Sequence, residues 1–187
     1  MVECVKNLTK EILIKFKETN ENVTPAGVDS FSEDPRKKLS DEMKTLIHQT
    51  VAQGLFVCER ARPDTQPMMA ALCTRVKLPG QKHWNKPVRL MKCLQSTKND
   101  VSTLDAGNGV HNVEWLTDLA FGVHPDVKSH VGGTVKFEQG HGSVMNISTK
   151  QKLNTESSTV AELVGVDQVL PLALWVPPFL KEQGHEA

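Results

Sequence analysis

The chain predicts an α+β protein with helices first and strands later. Two observations carry this. From Met43 to Leu94 apolar residues recur at the spacing of a helix face, and from Val113 onward they alternate with polar ones at the period of a strand. A third places one more helix after the strands: a basic, polar stretch, Lys150 to Ser158, gives way to the apolar run that begins at Val160. At 187 residues, 39% of them hydrophobic and 24% charged, the chain has material for a core and is not disordered by composition. The change of period divides it into a helical region, 1–100, and a mixed region, 101–187.

The first sixteen residues have irregular apolar spacing through Val5, Leu8, Ile12, Leu13 and Phe16, compatible with a helix or the remnant of a strand pair. Lys17 to Asp34, with Pro25 and Gly27, reads as a loop. Ser40 then offers an N-cap, with Asp41 and Glu42 placed against the helix dipole. Met43, Leu46, Ile47, Val51, Leu55 and Cys58 continue that helix to the Arg62-Pro63 break. Asp64 is the expected cap of a second helix carrying Met68, Met69, Leu72, Cys73 and Val76. A third runs through Trp84, Val88, Met91 and Leu94, with Pro87 expected in its opening turn or at a kink.

In the mixed region, Val113, Trp115 and Thr117 alternate with Glu114, Leu116 and Asp118; Thr134–Glu138 and Val144–Ile147 make two further strands. The apolar run after Val160 is expected to end as a helix at Pro177-Pro178, because an interior proline costs about 3 kcal/mol. Its longest apolar stretch, Val169 to Leu180, is too short to span a bilayer, so no membrane partner is expected.

Several chemistries are excluded. Cys4, Cys58, Cys73 and Cys93 form no C-x-x-C pair and no zinc spacing, and nothing indicates secretion, so a reduced intracellular protein is expected. His124, His130 and His141 lack a serine or cysteine nucleophile at a meaningful spacing and read as surface loop residues. Asp118 near a strand end and Glu162 in the first turn of a helix could converge on one divalent cation, since magnesium takes hard oxygen ligands. Each has a structural alternative: Asp118 as the start of a turn, and Glu162 as the far half of a Thr159-x-x-Glu162 capping box. Between Arg60 and Asp100 nine Lys/Arg stand against two acids, although the whole chain balances 22 of each sign. Arg60, Arg62, Arg75, Lys77, Lys82, Lys86, Arg89 and Lys92 could follow the phosphates of a duplex, or could be the solvated faces of amphipathic helices.

Three separated motifs occur in order: Thr117-Asp118, then Val123-His-Pro-Asp-Val-Lys-Ser-His-Val-Gly-Gly133, then Lys150-Gln-Lys-Leu-Asn-Thr-Glu-Ser-Ser-Thr-Val-Ala-Glu-Leu163. Together they resemble the ribonuclease H domain of copia-type retrotransposon polyproteins. Upstream, Arg60-Ala-Arg-Pro-Asp64 and His83-Trp84 resemble the helical tether joining that domain to the reverse transcriptase, so the resemblance covers most of the chain.

The resemblance implies three antiparallel strands followed by a helix, the first half of a ribonuclease H-like fold. It also implies a magnesium-dependent hydrolysis (manganese as substitute) of the RNA strand of an RNA–DNA hybrid. Asp118 and Glu162 would be metal ligands, with Glu162 near the attacking water, and the partner would be a hybrid or primer–template duplex. Departures bear on activity. No Asp-Asp dipeptide occurs, which argues against polymerisation; Val160 stands where the family usually has an acid; and the family's next two catalytic acids fall beyond Ala187. An inactive remnant is therefore expected, or alternatively a non-catalytic nucleic-acid-binding module, or a relic without function. A truncated sheet would leave its first strand as an edge, so self-association is expected too.

Overall fold

A computed structural model of the chain describes residues 7, 10–15, 22–27, 29–32, 39–76, 80, 82–100, 102–104, 112–137 and 142–185. The chain forms two compact units, Met1–Val101 and Ser102–Ala187.

The first unit is helical. Helix α1 (Asp41–Arg60) opens as its sequence dictates: Ser40 Oγ accepts the Met43 N–H at 3.3 Å. Ile47, Val51 and Cys58 form its buried stripe, whereas Leu55 lies outside it and is exposed. Gly54 belongs to the stripe because a Cβ there would stand 2.7 Å from Met69 Cε. A short 3-10 turn, Pro63–Thr65, leads into α2 (Gln66–Cys73), and α3 (Lys82–Ser96) follows. Asp64 does not cap α2; it is the partner of Arg62. At the start of α3, Gly80 and His83 bond reciprocally: His83 Nδ1 accepts the Gly80 N–H at 3.0 Å, and the Gly80 carbonyl accepts the His83 N–H at 2.9 Å. Pro87 lies in the second turn, buried, without the amide hydrogen that the His83 carbonyl would ordinarily accept. The core gathers Ile47, Val51, Val57, Met69, Leu90, Met91 and Leu94. Residues 10–15 of the N-terminal stretch are helical, with Ile12 in that core.

The second unit is a three-stranded antiparallel sheet in the order β1-β2-β3, with one helix. The strands are β1 (Val113–Ala120), β2 (His130–Phe137) and β3 (Met145–Lys150). Leu119 pairs with Val131, and Val131 with Thr149; Asp118 pairs with Gly132, and Gly132 with Ser148. Helix α4 (Ser158–Glu182) packs on the face holding Leu119 and Val131. A Cβ at Gly165 would stand 3.4 Å from Val131 Cγ2 and 3.5 Å from Leu119 Cδ1, and one at Gly133 would meet Val169 Cγ2 at 3.3 Å.

Two expectations are corrected by α4. It does not stop at Pro177-Pro178 but runs through Pro171 and both later prolines to Glu182. Ala161, Gly165, Val169, Val176 and Leu180 keep one buried helical stripe across the interruptions, and burial outweighs local propensity. The helix is thus 25 residues, long and apolar enough by length and composition to cross a membrane, where the sequence isolates only a short apolar stretch. Only 22% of its most apolar window is buried, and Leu163, Leu174 and Trp175 stand exposed.

Candidate functional site

Asp118 lies within β1, two residues before its end, and its side chain is exposed. It therefore does not start a turn; it occupies a strand interior, where aspartate is depleted. Glu162 is also exposed, and its alternative role fails as well. The cap of α4 is Ser157, whose Oγ accepts the Val160 N–H at 3.3 Å, and no acid lies in the first turn. The helix begins earlier than the capping box predicts, so Glu162 sits in the second turn and holds no cap.

The two carboxylates do not form a cation cage between them. Successive strand residues face opposite sides of a sheet. Leu119 meets the α4 position Gly165, so alternation directs Asp118 to the other face, while Glu162 rides on α4. No cluster of three or more His, Cys, Asp or Glu side chains arranged to hold a metal occurs among the described residues. Magnesium demands near-octahedral oxygen coordination, and these residues alone do not fit it.

The face that Asp118 shares carries a polar network that sequence reasoning missed. His124 and His130 are buried, not surface loop residues. His124 Nε2 and His130 Nδ1 face each other at 3.1 Å, and His130 Nε2 stands 2.8 Å from Ser148 Oγ. Burial, and then the neighbouring His124, push the His130 pKa down to about 4. Through these contacts the Ser–His–His chain ties the β1–β2 turn to β3. Beside it Lys150 Nζ holds Asp126 at 2.7 Å and keeps that carboxyl below its ordinary value. The signal was present in the pairing register, since β2 and β3 bring His130 diagonal to Ser148, but single-strand periodicity does not reveal it. His141 lies outside the described residues.

The basic residues of the first unit divide. Arg62 is buried: Nε and Nη2 hold both oxygens of Asp64 at 2.9 and 2.7 Å, and Nη1 donates to the Thr97 carbonyl at 3.1 Å. Asp64 raises the Arg62 pKa further. Lys86 is buried and its Nζ donates to the Ser32 carbonyl at 2.7 Å; Arg89 donates to the Thr24 carbonyl and hydroxyl at 3.3 and 2.6 Å. These three, expected on a solvated or phosphate-tracking face, are internal fasteners. Arg60 is exposed over the Phe56 ring at 4.4 Å; Arg75 and Lys92 are half-buried, and Lys77 lies outside the described residues.

No family model matches the chain, and neither a curated protein nor a solved structure matches it.

Proposed function

We propose that the second unit is the leading half of a ribonuclease H-like domain of the copia-type retrotransposon kind, and that by itself it does not cleave RNA–DNA hybrids. One observation carries the reading. An antiparallel β1-β2-β3 sheet is followed directly by a helix packed across β1 and β2, and the motif residues Asp118 and Glu162 are exposed on those elements with neither serving a turn or a cap. An aspartate kept in a strand interior breaks a local rule, as functional residues do. A two-metal site needs several carboxylates converging on the ions, and Asp118 and Glu162 stand on opposite sides of the sheet here, which supports an incomplete site. The resemblance supplies the substrate, a hybrid duplex, and magnesium as the cofactor of a completed site.

The alternative of a binding module built on the basic helices is weakened by the internal engagement of Arg62, Lys86 and Arg89.

The test is incubation of the purified, folded chain with end-labelled hybrid in magnesium and then manganese, beside Asp118→Asn. No cleavage by either protein is expected. Cleavage that disappears in Asp118→Asn would overturn the inactive-half reading, because two acids would then suffice. A determined structure in which α4 does not pack against β1 and β2 would overturn the fold relation.

A further inference from the structure

Helix α4 carries a second row of residues besides the one that seats it on the sheet. Val160, Leu163, Asp167, Leu170, Leu174 and Lys181 recur at intervals of three, four and seven residues, the spacing of a coiled-coil seam. All six are exposed, Leu163 and Leu174 at 67% and 66%, Val160 and Leu170 at 46% and 45%. Pro177, half-buried, fills the gap in the repeat. The buried residues Ala161, Gly165, Val169, Val176 and Leu180 hold a different side of the helix. A contiguous apolar row left outside in this way marks an interaction surface.

The charges in the row say what fits it. Asp167 and Lys181 are its only charged members, and Leu174 stands midway, seven residues from each. Seven residues are two turns of a seam, so all three share one line along the helix. In a parallel pair of such helices each charge would meet its own copy, acid on acid and ammonium on ammonium, which is repulsive. In an antiparallel pair related by a two-fold axis at Leu174, Asp167 of each copy meets Lys181 of the other, and the contact occurs twice. The row is complementary to itself. A helix pair of this overlap falls below the roughly 1,200 Å² of a small specific interface. The carbonyls of Asp167 and Leu174, which lack amide donors from Pro171 and Pro178, keep water beside the seam. The contact is therefore weak and reversible.

We propose that α4 joins two copies of this chain through an antiparallel, two-fold contact centred on Leu174, with Asp167 of each copy against Lys181 of the other. The inference does not rest on the ribonuclease H reading, and it uses the outer side of the helix and not the edge of β1.

Sedimentation equilibrium of the full chain over a wide range of concentration tests it, and a monomer–dimer equilibrium is expected. Asp167→Lys and Lys181→Asp should each weaken the dimer about tenfold, because each sets like charges together at both symmetric contacts. The two changes combined should restore it. Leu174→Glu should leave only monomer by placing two carboxylates at the axis. All three positions are exposed, so circular dichroism melts of the variants should match the native chain. A monomer at every concentration would overturn the proposal, and co-sedimentation of that monomer with phosphatidylcholine vesicles would give the face to lipid. A dimer indifferent to these changes, or single variants that the combination does not rescue, would also overturn it, by placing the contact elsewhere.

Discussion

His130 presents Nδ1 to His124 Nε2 across 3.1 Å inside the second unit, and its other ring nitrogen holds Ser148 of the neighbouring strand. The chain of contacts can carry one proton without a clash, but two protonated rings would set N–H against N–H. Free imidazole titrates near 6.5, and His130 is pushed down to about 4. Between those values the unfolded chain binds the proton and the folded chain does not. Stability from this group is therefore complete above about pH 6.5 and is lost as the pH falls toward 4. The Asp126–Lys150 pair acts at lower pH, since its carboxyl is held below an already acidic value. Melting temperatures measured from pH 7 to 4.5 should fall for the native chain and fall less for His130→Gln. Parallel curves would show that His130 does not set the acid sensitivity.

Val127 has φ of 61°, the left-handed region, in the turn between β1 and β2. A β-branched residue there is an outlier, with a cost of about 1–2 kcal/mol for an L-residue. Its side chain is exposed, so little packing is lost on replacement. Val127→Asn, which tolerates that conformation, should stabilise the second unit by about 1 kcal/mol in denaturant titrations. An unchanged midpoint would mean that the turn relaxes in solution.

Gly165 tests how α4 is seated. The space above it begins at ordinary contact distance, 3.4–3.5 Å, from Val131 and Leu119. Gly165→Ala should therefore gain about 1 kcal/mol of helix propensity, whereas Gly165→Leu should lose about 1–3 kcal/mol by overpacking. Thermal melts of the pair should move in opposite directions. Movement in the same direction would place the helix differently.

Arg62 separates structure from recognition. Replacing it with methionine removes the fork on Asp64 and the bond to Thr97, with an expected cost of about 2–3 kcal/mol in the first unit. Affinity for an RNA–DNA hybrid, measured on folded protein, should not change, and neither should its salt slope. A reduced slope with unchanged stability would return Arg62 to the phosphate contacts.

The parts of the fold readable from sequence were those set by neighbours along the chain. Ser40 caps α1 as its residue type dictates, and the alternation from Val113 and Thr134 does form strands. What escaped was set across the chain. Thr159 looks as good a cap as Ser157 until the helix start is seen, and that choice moved Glu162 out of the first turn. His124 and His130 looked like loop residues because only the register of β2 against β3 buries them beside Ser148. The same holds for Arg62 and Lys86: their targets, the Thr97 and Ser32 carbonyls, are 35 and 54 residues away in sequence. For the candidate site, the sequence named Asp118 and Glu162, but strand parity, which separates them, required Leu119 to be seen against Gly165.

The prolines of α4 make that helix selective about its solvent. Pro171, Pro177 and Pro178 leave the carbonyls of Asp167, Ala173 and Leu174 without the amide donors that a regular helix would supply four residues on. Water can hydrate such carbonyls at little cost, whereas hydrocarbon cannot, at a penalty of several kcal/mol for each group left bare. In a lipid setting those three carbonyls would need a neighbouring helix, a side chain, a water or a local 3-10 adjustment to satisfy them.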